Sequence, residues 1–122
     1  MSASTPTLVR YSERVDAGEV DAAMELVAPD VTFSIVLPGG AVRGAGRSGL
    51  VDYLSRRGDV VRRHVPQRTS VAEDVEFVYG AVVEDDATTT GHFLAAVRID
   101  DDGLIAAYQV AFDPEHALFP TT

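Results

Sequence analysis

Apolar residues recur at helical spacing in the first part of the chain and at strand spacing in the rest. Leu8, Tyr11 and Val15 lie three and four positions apart, which predicts a helix with one buried face, and Ser12 and Asp16 fall on its flank. Gly18 suits the left-handed residue that ends a helix. Asp21 can cap a second, short helix through Leu26, and Pro29 stops it. Val31–Ile35 alternates apolar with polar, as a half-buried strand does. Leu37-Pro-Gly-Gly40, extended by Gly44 and Gly46, reads as a loop. A third helix is expected from about Arg47 to Arg57, with Leu50, Val51, Tyr53 and Leu54 on its apolar side and Gly58 closing it.

Strands follow. Val60–Ala72 is one extended run whose Pro66 marks an edge or a bulge. Val75, Phe77, Tyr79, Ala81 and Val83 alternate with Glu76, Val78, Gly80 and Val82 after a Glu73-Asp74 turn. A turn at Glu84–Asp86 leads to Thr88–Ile99, and Asp100–Gly103 is a hairpin connection to Leu104–Phe112. Three helices, one early strand and a four-stranded antiparallel meander define an α+β domain. Phe93, Ala95 and Val97 point one way from the sheet, Leu94 and Ala96 the other. One apolar face can take the helices; the other, carrying His92, Leu94 and Ala96, is expected to meet a second copy as a homodimer through the sheet.

Composition narrows the function. The 122 residues fit one domain, 1–122, and at 46% hydrophobic they can build a core. A net charge of −9 makes nucleic acid and anionic membrane surfaces poor partners. Without cysteine there is no disulfide, thiol nucleophile or thiolate metal site. No apolar run is long enough for a signal peptide or a membrane span, so a cytoplasmic location is expected. Asp100–Asp102 lacks the ligand spacing of a calcium loop and reads as a solvated turn. One His beside one Asp is a poor metal site, and no cofactor is expected. Arg43, Arg56, Arg57, Arg62 and Arg63 form a loose basic cluster that acidic neighbours neutralise, and His116 is a solvated tail residue.

Arg10-Tyr11, Asp16-Ala-Gly-Glu-Val-Asp21, Ala28-Pro-Asp-Val31, Gly46-Arg47, Arg63-His64 and Gly91-His92-Phe93 together resemble the NTF2-like superfamily. The resemblance spans nearly the whole chain and implies a cone: a curved, mostly antiparallel sheet wrapped by three N-terminal helices. The same frame serves isomerases, dehydratases, cyclases, hydrolases and non-catalytic binders, so it does not fix a reaction. Against ketosteroid isomerase, Tyr11 matches the oxyanion-hole tyrosine, but the general base falls on Ile35 and the second, protonated acid on Gly91. Neither can hold a proton, so ketosteroid isomerase activity is not expected. The chain is more similar to the SnoaL-like and scytalone dehydratase branch, in which an Asp at the end of helix one meets a His at the start of the strand after helix three. Asp16 and His64 match those positions. The dehydratase's two tyrosines fall on Val15 and Ile35.

The resemblance therefore implies an Asp16–His64 pair able to shuttle a proton on a bound molecule. Read without it, Asp16 can equally cap or solvate a helix end, His64 can be a hydrogen-bonded residue at the edge of the core, and Tyr11 fits plain core better than a proton donor. If the pair lines the cone, strand alternation adds Tyr11, Phe33, Ile35, Tyr53, Phe77, Phe93, Tyr108 and Phe112 to the lining. His92 should face away from the pocket. Such a lining suits an apolar small molecule, ring-shaped or polyketide-like. Two function classes follow: a cofactor-independent lyase, isomerase or cyclase acting through Asp16 and His64, or a non-catalytic module of the same fold that binds a ligand or dimerises for protein interaction.

Overall fold

The apolar stripe of a helix has to be covered, and here one curved sheet covers it. The computed structural model describes residues 5–56, 61–85 and 87–119. Helices α1 (Thr7–Asp16) and α2 (Val20–Met24) come first. Strands β1 (Val27–Leu37) and β2 (Gly40–Ala45), helix α3 (Arg47–Ser55) and strands β3 (Arg62–Ala72), β4 (Val75–Glu84), β5 (Thr88–Ile99) and β6 (Ile105–Asp113) follow. The strands form one six-stranded sheet in the order β2-β1-β6-β5-β4-β3. Neighbours are antiparallel except β1 and β6, which run parallel, Phe33 opposite Tyr108. The expected helix end at Arg57 and Gly58, the strand start at Val60 and the turn residue Asp86 lie outside the described residues.

Three elements differ from the pattern-based expectation. The second helix is Val20–Met24, so Asp21 lies inside its first turn instead of capping it, and it ends well before Pro29. The first strand starts at Val27 rather than Val31, so Pro29 lies inside β1. It is accommodated because the ladder to β6 is interrupted between Val27 and Thr32, where no amide of Pro29 is needed. The glycine-rich stretch expected as loop is the edge strand β2, paired with β1 from Thr32–Ala45 to Leu37–Gly40. Its residues are all exposed and carry no alternation to read. Gly44 is needed there: a Cβ would stand 2.7 Å from the Phe33 ring.

The helices cover the concave face. α1 packs on β3 and β4, α3 on β1 and β2. Leu8, Tyr11, Leu50, Val78, Ala95, Val97 and Val110 are buried between them. The inward set of β4 is Glu76, Val78, Gly80 and Val82, and Phe77 lies on the outer face, 41% exposed. This corrects the expectation that Phe77 lines the cone. Both alternating sets of β4 are apolar enough to be buried, and two inward residues decide the matter. Gly80 leaves room for Phe93 and the Val65 carbonyl, since a Cβ would meet that oxygen and come within 2.9 Å of the Phe93 ring. Glu76 turns its carboxylate onto the start of α1, accepting the Thr7 amide at 3.1 Å and the Leu8 amide at 2.9 Å. Pro6, the residue before that helix, offers no side-chain cap, so a distant strand supplies it.

Candidate functional site

Because α1 and α3 sit on opposite halves of the sheet, a cavity of about 600 Å³ remains between them. That is ample for a small organic ligand. Its wall is largely aliphatic and aromatic: Ile35, Val82, Val110 and Phe112 from the sheet, Leu50 and Leu54 from α3.

Asp16 is the last residue of α1, and His64 is the third residue of β3. The structure brings them together. Asp16 Oδ2 accepts the His64 backbone amide at 2.6 Å, and Oδ1 lies 2.9 Å from His64 Nδ1. Their side chains are 11% and 10% exposed. The helix can end there because Gly18 takes φ +78° and turns the chain back, and the Ala17 and Gly18 amides close the last turn on Glu13 and Val15. A carboxylate only accepts, so Nδ1 donates to Asp16, and in the neutral ring Nε2 is then the nitrogen with the lone pair. The ring borders the cavity and is held edge-on by Phe93, centroids 5.2 Å apart, and by Phe112 at 6.0 Å. Nε2 makes no hydrogen bond among the described residues.

The other expected lining residues divide. Tyr11, Ile35, Tyr53, Tyr108 and Phe112 border the cavity, with the Tyr11 and Tyr108 rings 5.7 Å apart. Phe93 supports the wall from behind His64 rather than forming it. Phe33 is buried beside Gly44 and Gly49 and does not reach the cavity. Its position is inward, as alternation requires, but it lies under α3. Phe77, as noted, is outside. His92 faces the outer side, its ring stacked on Tyr79 at 5.9 Å, although the residue also borders the cavity mouth.

Alternation within helix three and β4 did not single out Leu50, Leu54 or Val82 as lining. Nor did it find a charged pair at the mouth, Arg62 Nε donating to Glu84 Oε2 at 3.2 Å. The signal was present: Arg62 and His64 are two apart on one strand and must share a face. Asp113 also borders the mouth. Its Oδ1 accepts the amides of Glu115 at 2.9 Å and His116 at 3.0 Å, which holds this carboxyl below its ordinary 3.8. Among the described residues no three His, Asp or Glu side chains converge as a metal site, and no helix is long and apolar enough to cross a membrane.

The fold is shared with solved structures. A candidate polyketide cyclase from Sinorhizobium meliloti superimposes with a TM-score of 0.70 at 18% identity, over 88% of this chain and 94% of the other. An LEH-like epoxide hydrolase from M. tuberculosis gives 0.70 at 16% identity, over 88% and 80%. A Catenulispora acidiphila protein in complex with S-DNPA gives 0.67 at 24%, over 88% of both chains. No curated protein matches the sequence significantly. The SnoaL-like domain family matches residues 8–108, from the first helix into the last strand. With this much of its length inside the family pattern, the chain belongs to the SnoaL-like family.

Proposed function

We propose that this protein takes an apolar ring- or polyketide-shaped molecule into its cavity and moves a proton on it, as a cofactor-independent lyase, isomerase or cyclase. The observation that carries the reading is the two-point bond of Asp16 to His64 at the wall of an apolar cavity. Here one carboxylate fixes the backbone and the ring together, which sets the tautomer and the ring orientation. Nε2 then takes a proton from a carbon next to a carbonyl, Asp16 stabilises the resulting imidazolium, and the same nitrogen returns the proton elsewhere on the ligand. The names carried by the fold's neighbours, a candidate cyclase and an epoxide hydrolase, are compatible with small-molecule chemistry in this frame.

The test is exchange of the α-hydrogens of 2-tetralone in heavy water, followed by NMR. The native protein should exceed His64→Ala by about 10²–10⁴-fold, the usual worth of a positioned base. Asp16→Asn should fall between them.

A second reading is favoured by one observation: Ile35 and Gly91 border the cavity and neither can hold a proton. Ligand binding without exchange above the variant's rate would make the protein a binding module. We further propose that the outer face of the sheet, where Phe77 is 41% and Leu94 is 56% exposed, meets a second copy of the chain.

A further inference from the structure

His64 shares its wall of the cavity with a guanidinium whose donors are mostly unmet. Arg62 stands two positions before His64 on the same face of β3, their Cα atoms about 7 Å apart by strand rise. Val82 and Glu84 stand opposite them on β4. Arg62 donates Nε to Glu84 Oε2 at 3.2 Å, with side chains 26% and 29% exposed. That is one bond for a group with five N–H donors. Among the described residues the two Nη groups have no hydrogen-bond partner. In an empty cavity water can meet them. An apolar ligand displaces that water, and then only acceptors on the ligand itself can satisfy the charge.

We propose that the molecule bound here is an apolar acid, whose carboxylate docks in two-point fashion on the Nη edge of Arg62 while its carbon skeleton lies against His64. The inference rests on the proposed reading of the cavity as a substrate pocket. The geometry of the pair supports a carboxylate over a neutral oxygen. Glu84 occupies only the Nε side and so holds the fork in position, leaving the edge that matches a planar, two-oxygen anion. The other charged groups at the mouth are otherwise engaged. Arg56 is 77% exposed and pairs with Asp52 one helical turn away, at 3.2 Å. The Asp113 carboxylate is committed to the amides of its own turn. Glu84 is also a competitor, since its charge opposes an incoming anion.

A Gln at position 84 keeps an acceptor for Arg62 Nε and loses only the competing charge, so substitutions at 62 and 84 should act with opposite signs. Affinities of a matched panel of bicyclic and tricyclic carboxylic acids and their primary amides are measured by calorimetry at neutral pH. The proteins are the full chain and its Arg62→Gln and Glu84→Gln variants. Acids should bind native protein at least about tenfold tighter than their amides, the worth of a charge-assisted hydrogen bond. The preference should vanish in Arg62→Gln and widen in Glu84→Gln, a gain that a damaged fold cannot produce. Equal binding of acids and amides overturns the inference and leaves the proposed function standing. A preference that survives Arg62→Gln overturns it too, because another cation is then responsible. Binding of neither kind of ligand overturns both.

Discussion

Asp16 accepts two hydrogen bonds from one residue, and an amide cannot copy that. In Asp16→Asn one oxygen is replaced by a donor facing either the His64 amide or its ring N–H. We expect a loss of about 1–3 kcal/mol, the cost of an unmet buried polar group, read as a lower denaturant midpoint at unchanged slope. Space is equally unforgiving at Gly80. An added methyl there meets the Val65 carbonyl, which is backbone, and the Phe93 ring at 2.9 Å. At Gly44 the obstacle is only the tip of the Phe33 side chain at 2.7 Å. Gly80→Ala should therefore cost more than Gly44→Ala, in the range of about 1–3 kcal/mol or above for an overpacked interior. At Gly91 a Cβ would come within 2.9 Å of the Asp113 carbonyl oxygen, so Gly91→Asp cannot restore an acid without moving the C-terminal turn. Native protein should not isomerise a 5-ene-3-ketosteroid, and Ile35→Asp is the variant in which weak activity could first be seen. Of these residues, Asp16, His64 and Tyr11 were legible in the sequence through their motif. Phe77 was not, because β4 offers two apolar sets and hydrophobicity alone cannot choose between them. The choice was made by an inward glycine and an inward glutamate, residue types that a reading by apolar content assigns to solvent.

Helix α1 is tied to the sheet at both ends by carboxylates, Glu76 of β4 holding its first amides and Asp16 holding β3. Since Pro6 contributes no side-chain cap, Glu76→Gln leaves one of the Thr7 and Leu8 amides without its acceptor. That should cost about 1–2 kcal/mol and speed hydrogen exchange at the start of α1 ahead of global unfolding. The helices and the long strands were readable from their periods. β2 was not, because a fully exposed strand has no period, and neither was Glu76, whose partners lie 68 and 69 positions away. The last strand ends in a second carboxylate device. Asp113 is held low chiefly by the Glu115 and His116 amides. A carboxyl whose folded pKa is depressed contributes its stability above the ordinary value and loses it as pH falls through the folded one. The Glu115 and His116 amide shifts should titrate together with a midpoint below 3.8, and Asp113→Asn should abolish the transition.

At the scale of the molecule, the proposed dimer rests on the outer face of the sheet, where Phe77 and Leu94 are exposed. A dimer through Leu94 and Phe77 predicts that Leu94→Glu sediments as a monomer while keeping its circular dichroism. A clean native monomer at micromolar concentration would falsify the dimer. That both sheet faces are apolar was evident in the strand pattern. That β1 joins β6 in parallel was not, because nothing local in either strand names a partner more than half the chain away. This joint predicts a late step in folding. β3 to β6 can zip as successive hairpins and β1 can pair with β2, but the two groups can join only once Ile105–Ala111 is in place. The cavity should therefore close late, by the pairing with the largest loop to close. Refolding should be slow for a chain of this size, in the range of milliseconds to seconds typical of non-local β topologies. A nascent chain halted before β6 would have β1 paired with β2 on one edge and open on the other, and that stage is the one most open to aggregation.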